Sequence, residues 1–144
     1  EAEEAWLGWC DGCALPNPGR IGVGGLLRSP RGEYHEFSRP ASHSGCNNEA
    51  ELLALSGLLE LALERGVSRL KVFSDSDLVV RVAPDPASGE ARRLAPRFEA
   101  VRALMARFEQ IDLCWLPQHR NQAADELSRR ALGLPPRSPA RRRA

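Results

Sequence analysis

The residues most informative about the fold are AWLGWCDGCALPNPGRIGVGGLL, residues 5–27. Residues 5–11 form a short apolar and aromatic run that is typical of a central strand. Residues 12–19 are rich in Gly and Pro and predict a loop. Residues 21–27 predict a second strand, in which three glycines indicate a bulge or a close backbone approach. The stretch therefore predicts two antiparallel strands.

The chain on the C-terminal side of these strands predicts a third strand and then alternating helices and strands. A Ser-Pro-Arg-Gly turn at 29–32 leads into a strand over residues 33–38. Residues 49–65 predict a long helix whose core face comprises Leu52, Leu55, Leu59 and Ala62. Strands follow at 70–73 and 111–116. Helices are predicted after Asp75, across residues 94–108 with Pro96 near the first turn, and over 121–132.

This order of elements predicts an α/β fold with a five-stranded mixed sheet. Three strands are expected to be antiparallel and two parallel, with helices on both faces of the sheet. Residues 1–4 are an acidic extension, residues 5–133 form the domain, and residues 134–144 form a Pro/Arg-rich tail that we expect to be disordered.

Composition indicates one globular domain and excludes a membrane protein. Of the 144 residues, 42% are hydrophobic and 27% are charged, and no run of 18 apolar residues occurs. The net charge is +1, but four of the arginines lie in the last eight residues: Arg137, Arg141, Arg142 and Arg143. Without them, 16 basic residues face 19 acidic ones. Charge alone therefore does not indicate a nucleic-acid partner.

The four cysteines do not form the pattern of a disulfide scaffold. Cys10 and Cys13 form a Cys-x-x-Cys, but prolines follow closely, so the segment is predicted to be a loop rather than a redox motif at a helix start. A zinc site would need Cys46 and Cys114, which lie far apart in the sequence. We therefore expect reduced thiols in a cytoplasmic protein.

Four carboxylates lie where strands end or helices begin: Asp11, Glu51, Asp75 and Asp125. If they converge at one edge of the sheet, they repel one another unless cations neutralise them. Oxygen ligands without His or Cys favour Mg²⁺, with Mn²⁺ as a possible substitute. Two such ions can clamp a phosphodiester and activate a water molecule. Taken singly, each acid equally fits a turn, a helix cap or a first helical turn.

The residues around these acids help to distinguish a metal site from these structural roles. DGCALPNPGRIG at 11–22 resembles the D-G-x-x-x-x-N-P-G-x-x-G motif of type 1 ribonucleases H. CNNEAEL at 46–52 is similar to the family's T-N-N-x-x-E-L, SDS at 74–76 to (T/S)-D-S, and NQAADEL at 121–127 to N-x-x-A-D-x-L. The four motifs occur in the family's order over residues 5–132, and the resemblance implies a ribonuclease H-like fold.

The resemblance implies hydrolysis of the RNA strand of RNA/DNA hybrids, leaving 5′-phosphate and 3′-hydroxyl ends. It implies that Asp11 bridges two metal ions and that Asp125 completes the site of the ion that activates water. Glu51 and Asp75 would hold the other ion, near the leaving 3′-oxygen. These four acids are thus the candidate catalytic and metal-binding residues.

The resemblance also implies residues that bind the hybrid. Asn17, Asn47 and Asn48 would line its minor groove, where an amide can both donate to and accept from a 2′-hydroxyl. Ser76 matches a position that touches the DNA backbone. Asparagines also favour turns, which is the alternative role for each. Glu49 is predicted to be a helix-start residue on the exposed side.

Several features depart from the family pattern. The basic, Trp-containing protrusion of well-studied bacterial members is absent, because residues 82–93 are too short and contain no aromatic residue. Weak hybrid binding is then expected, unless the tail arginines or another domain compensate. Cys46 replaces the threonine of the asparagine motif, which removes a hydroxyl that could contact DNA. The loop before the last acid is shortened, and His119 there is either a proton shuttle or a surface residue.

A second hypothesis is a hybrid-binding module of the same fold without catalysis. Four intact carboxylates argue against it, because a pure binder gains nothing from acids that repel phosphate. The partner expected in either case is an RNA/DNA hybrid. No motif indicates a membrane or an obligate protein partner.

Overall fold

The computed structural model describes residues 4–83 and 90–137, and these residues form one sheet with four helices. The strands are β1 (Trp6–Leu15), β2 (Gly19–Arg28), β3 (Tyr34–Gly45), β4 (Arg69–Ser74) and β5 (Gln110–Trp115). The helices are α1 (Asn47–Glu64), α2 (Asp77–Arg81), α3 (Ala91–Met105) and α4 (Gln122–Ala131). Within this described part of the chain, no helix combines the length and apolar character needed to cross a membrane.

The sheet has the strand order β3-β2-β1-β4-β5. β1 pairs antiparallel with β2, and β2 pairs antiparallel with β3. β4 pairs parallel with both β1 and β5. The predicted mixed sheet of three antiparallel strands followed by two parallel ones is therefore confirmed, and β1 lies at its centre.

Helices α1 and α4 cover opposite faces of the sheet, and glycines let both approach closely. A methyl group added at Gly12 of β1 would lie 2.2 Å from the carbonyl oxygen of Ala50 in α1. A methyl group added at Gly24 of β2 would lie 2.5 Å from Leu127 Cβ in α4. Gly24 pairs with Asp11, the neighbour of Gly12, so the two glycines face opposite sides. Helices on both faces are thereby confirmed.

The core is centred on α1, which packs against both the sheet and α3. The four residues of the predicted core face are fully buried: Leu52, Leu55, Leu59 and Ala62. α3 contributes Leu94, Phe98 and Val101 to the same core. Because α1 is covered by the sheet on one side and by α3 on another, it is apolar over most of its circumference.

The predicted loop at residues 12–19 is wrong for its first part. β1 continues to Leu15, because its pairing with β2 extends to Leu15 opposite Arg20. Asp11 therefore lies inside a strand rather than at its end. Cys10 and Cys13 also lie in β1, three residues apart, so their side chains point to opposite faces of the sheet. All four cysteines are free.

Two other elements differ in their extent from the predictions. β3 continues through Pro40 to Gly45, which an edge strand permits because it need not donate every N–H to a neighbour. Pro96 lies in the second turn of α3 rather than near the first. The predicted tail begins within the described residues, and its first four, 134–137, follow the turn that ends α4. Residues 138–144, with Arg141, Arg142 and Arg143, lie outside the described residues.

The close approach of β1 to α1 predicts different costs for two glycine substitutions in one strand. Gly12→Ala forces Cβ against the Ala50 backbone, which cannot rotate away, so we expect a loss of about 3 kcal/mol of unfolding free energy. Gly8→Ala meets only the side-chain tip of Leu58, so we expect about 1 kcal/mol. Urea unfolding of the two variants checks the difference, and equal losses would contradict the packing described.

Candidate active site

The centre of the sheet brings three of the predicted carboxylates together. Trp9 of β1 is in register with Phe73 of β4, so Asp11, two residues later in β1, comes near Asp75, which directly follows the end of β4. Glu51 lies near the start of α1, and this part of the helix packs directly on Gly12. Oxygen atoms from Asp11, Glu51 and Asp75 lie within 4.8 Å of one another.

The main chain fixes the position of Glu51 in this cluster. The Gly12 N–H donates a hydrogen bond of 2.8 Å to Glu51 Oε1, and the carboxyl groups of Glu51 and Asp11 are also hydrogen-bonded to each other. Glu51 is therefore held at the face of β1 next to Asp11.

Burial and mutual repulsion raise the pKa values of all three acids. Asp11 is only 6% exposed, and burial followed by the charges of Glu51 and Asp75 raises its pKa well above the usual range. Burial raises the pKa of Glu51 to about 7, although the hydrogen bonds to Asp11 and Gly12 work in the opposite direction. Burial also raises the pKa of Asp75, which the Asn121 hydrogen bond partly offsets. The cluster therefore disfavours its own full ionisation.

The fourth predicted acid, Asp125, lies in the first turn of α4 and is 4% exposed. Its charge contributes to the raised pKa values of Asp11, Glu51 and Asp75, which indicates that it faces the same cluster. Its carboxylate forms an ion pair with Arg137, at 2.9 Å from Nε to Oδ2. The structure thus brings all four predicted acids into one region.

Asn121 links this region to the central strand, a role that the sequence analysis missed. Its Nδ2 donates to the Cys10 carbonyl at 3.0 Å and to Asp75 Oδ2 at 3.2 Å. Asn121 occupies the cap position of α4 but makes no side-chain cap there. An asparagine normally caps its own helix at this position. The sequence did signal this residue, because Asn121 is the first residue of the motif at 121–127.

The asparagines predicted to bind substrate form a hydrogen-bonded frame at the start of α1. Asn17 is in the turn between β1 and β2, and its Oδ1 accepts from the Asn47 N–H at 3.0 Å. Asn47 Oδ1 in turn accepts from the Ala14 N–H at 2.8 Å. Asn17 and Asn47 are both exposed. Asn48 donates through Nδ2 to the Glu90 carboxylate.

The remaining two predicted site residues lie in short helical segments. Ser76 caps α2, and its hydroxyl accepts from the Val79 N–H at 3.3 Å. His119 is exposed in a single turn of 3-10 helix, Gln118–Arg120, before α4. The cap role of Ser76 is thus described, whereas its contact with DNA and the proton-transfer role of His119 remain predictions.

Glu49 is not on the exposed side of α1 as predicted. Its Oε2 lies 3.1 Å from His43 Nε2 and 3.0 Å from Arg97 Nε of α3. Although burial works in the opposite direction, the hydrogen bonds of His43 and Arg97 lower the pKa of Glu49. The partner Arg97 lies 48 residues away in sequence, so no local pattern indicated the contact. Glu49 therefore has a structural ion pair, which separates it from the carboxylate cluster.

The donor set fits a divalent cation. The three clustered side chains offer only carboxylate oxygens, which Mg²⁺ and Mn²⁺ prefer. Asn121 Oδ1 is buried beside Asp75 without a hydrogen-bond partner in the described part of the chain. Raised carboxyl pKa values and an unsatisfied acceptor both indicate a region that lacks positive charge.

The pKa of Glu51 predicts how stability depends on pH without divalent ions. Because folding raises this pKa from 4.5 to about 7, the folded protein binds the proton more tightly than the unfolded chain. Unfolding free energy should therefore fall as pH rises from about 4.5 to about 7, by on the order of 3 kcal/mol. Urea unfolding across this range in chelator measures the slope.

A matched pair of variants tests the origin of that slope. Glu51→Gln should make it less steep and leave the contribution of Asp11 and Asp75, whose pKa values are also raised. Glu64→Gln, at the exposed C-terminal end of the same helix, should leave the slope unchanged. A slope as steep in Glu51→Gln as in the parent would contradict the assignment.

The position of Asn121 predicts that an acid is not tolerated there. Asn121→Asp replaces the donor to Cys10 and Asp75 with a further acceptor, so we expect a loss of about 3 kcal/mol at neutral pH. Gln122→Glu is the control, because it makes the same chemical change one residue later, at a less buried position where a helix start favours negative charge. Thermal unfolding of the two variants measures the difference, and equal melting temperatures would refute the role assigned to Asn121.

Comparison with known proteins agrees with this architecture. Residues 9–131 match the family described as reverse transcriptase-like. The ribonuclease HI of Halobacterium salinarum is 31% identical over 125 residues, which are 85% of this chain and 61% of that protein. The chain therefore spans less than two thirds of the length of this relative.

Solved structures with the same fold cover almost the whole chain. The ribonuclease H1 of the halophilic archaeon Halobacterium salinarum has a TM-score of 0.79 and 29% identity, over 90% of this chain and 98% of that one. An N-terminal ribonuclease H domain from Mycobacterium tuberculosis has a TM-score of 0.78 and 26% identity, over 90% and 94%. LC11-ribonuclease H1, solved in complex with an RNA/DNA hybrid, has a TM-score of 0.76 and 27% identity, over 89% and 96%. This chain has the ribonuclease H fold and belongs to the reverse transcriptase-like family.

Proposed function

We propose that the protein is a metal-dependent ribonuclease H that cleaves the RNA strand of RNA/DNA hybrids endonucleolytically. The observation that carries the proposal is the carboxylate cluster, with Asp11, Glu51 and Asp75 oxygens within 4.8 Å and Asp125 beside them. Relatives named ribonuclease HI and ribonuclease H1 support it, as does the hybrid complex of one structural neighbour.

The four acids would hold two Mg²⁺ ions, or Mn²⁺ in their place. Bound there, the ions would supply an activated water and stabilise the leaving 3′-oxygen, giving 5′-phosphate and 3′-hydroxyl ends. Asp11 would contribute to both ion sites, because one of its carboxylate oxygens lies within 4.8 Å of oxygens of both Glu51 and Asp75. Asp125 would complete one ion's site, and Glu51 with Asp75 the other.

The chain's own residues hold these acids in place before any ion binds. The Gly12 N–H fixes Glu51, and Asn121 fixes Asp75 to the central strand. These contacts reduce the rearrangement needed when a cation and a phosphodiester arrive, because the oxygen ligands already converge.

Recognition of RNA is proposed to come from the asparagine frame. The hydrogen bonds described engage the amide oxygens of Asn17 and Asn47, so their exposed amide groups are oriented by the main chain at the edge of the site. An amide fixed in this way can contact a 2′-hydroxyl, which DNA lacks. Asn48 would join them after exchanging its bond to Glu90 for one to the substrate.

The backbone of the DNA strand is proposed to lie near the N-termini of α1 and α2. Ser76 caps α2, and Cys46 caps α1 where the family has threonine. The Arg93 guanidinium lies 3.5 Å from Cys46 Sγ. A helix N-terminus with a nearby arginine favours phosphate, and this arginine would exchange its ion pair with Glu90 for one with the DNA backbone.

His119 remains a proposed proton carrier. A cytoplasmic location is supported by the four free thiols.

Cleavage of a strand-labelled RNA/DNA hybrid tests the proposal. We expect cutting of the RNA strand in Mg²⁺ and in Mn²⁺, none in chelator, and none of RNA/RNA or DNA/DNA. Asp11→Asn and Asp125→Asn should each lower the rate by at least about 100-fold, since each removes a ligand charge. Asp77→Asn, an exposed acid two residues after Asp75, is the matched control and should retain the parental rate.

Two other outcomes of the cleavage experiment would contradict parts of the proposal. Hybrid binding without cutting in either metal would refute catalysis and favour the hybrid-binding module. Cutting that survives in Asp11→Asn would place the reaction elsewhere.

A further inference from the structure

The segment after α4 returns along the helix and places a cation on the candidate site. Arg137 Nε lies 2.9 Å from Asp125 Oδ2, and Nη2 lies 3.2 Å from Oδ1. The arginine side chain is 40% exposed, whereas the aspartate side chain is only 6% exposed. Both oxygens of the aspartate thus face one planar guanidinium, the strongest ion-pair geometry that proteins use.

Hydrogen bonds at the end of α4 direct this return. Gly133 adopts a left-handed conformation with φ of 76°, and the Leu134 N–H donates to the Arg129 carbonyl at 3.0 Å. The Arg129 side chain then donates through Nε to the Pro135 carbonyl at 2.8 Å. The glycine reverses the chain and the arginine fastens it to the helix. Five residues after Leu132 can then span the seven residues of helix back to Asp125.

The charge of Arg137 acts on more than one member of the cluster. Besides pairing with Asp125, it partly offsets the rise in the pKa of Asp75. Asp11 and Glu51, by contrast, are hydrogen-bonded to each other. Among the described residues, Arg137 is therefore the side chain that supplies positive charge to Asp125 and Asp75.

We propose that Arg137 is a built-in competitor of the divalent cation at Asp125. A metal ion ligated by this carboxylate would meet a guanidinium that already engages both oxygens and repels a second positive charge. Metal binding at this position therefore requires the segment 134–137 to release Asp125. This inference rests on the proposed metal site, and it assigns to the C-terminal segment control over the metal concentration at which the site fills.

Calorimetric titration of Mn²⁺ into the metal-free full chain tests the competition without using activity. Arg137→Gln removes the charge, and we expect one binding event to tighten roughly two- to fivefold, the range for a partly exposed ion pair. Arg137→Lys keeps the charge without the planar fork and should lie between the variant and the parent. Arg31→Gln, at an exposed position in the turn after β2, makes the same charge change elsewhere and should match the parent.

The outcomes separate this inference from the proposed function. Tightening in Arg137→Gln but not in Arg31→Gln supports the competition. Unchanged or weaker binding in Arg137→Gln, with Mn²⁺ still bound by the parent, overturns the competition and leaves the metal site intact. Absence of Mn²⁺ binding in the parent and in every variant overturns both.

Discussion

The arrangement of the site depends on one contact, the packing of α1 on β1 at Gly12. Because Gly12 has no side chain, the helix backbone at Ala50 comes close enough for Glu51 to accept the Gly12 N–H. That hydrogen bond places the Glu51 carboxyl next to Asp11. Any larger residue would lift the start of α1 off the sheet and separate the two acids. The same close approach that closes the core therefore assembles the candidate metal ligands.

The carboxylate cluster is a local conflict that the rest of the fold tolerates. Four acids from β1, α1, the end of β4 and α4 converge, and three of them have raised pKa values. The protein limits the repulsion through the Asn121 amide, which donates to Asp75, and through Arg137, which pairs with Asp125. Neither of these removes the desolvation cost of a buried carboxylate. Sites that are unfavourable to the apo protein in this way are typical of places where a cation or reaction supplies the missing charge.

Sequence patterns predicted the mixed sheet of three antiparallel and two parallel strands, the buried face of α1 and the four acids, because each of these follows from local periodicity or from a short motif. They failed where pairing or packing between two elements decides the outcome. Cys13 was assigned to a loop because prolines follow, yet pairing with the adjacent strand β2 continues β1 past it. Glu49 was placed on the surface because its partner Arg97 is 48 residues away. Such contacts depend on how helices and strands pack, which no single segment encodes.

Two different kinds of interaction meet at the proposed substrate surface. The asparagine frame at the start of α1 is held by main-chain N–H groups, so its geometry does not depend on ionisation. The carboxylate cluster depends strongly on charge, and it repels phosphate until cations are present. A change in the ionisation of the acids would therefore alter catalysis without altering the amide contacts that select the substrate. Outside the last eight residues the chain has more acidic than basic residues, so bound cations would add to its attraction for a polyanion. Metal occupancy would then influence affinity as well as chemistry.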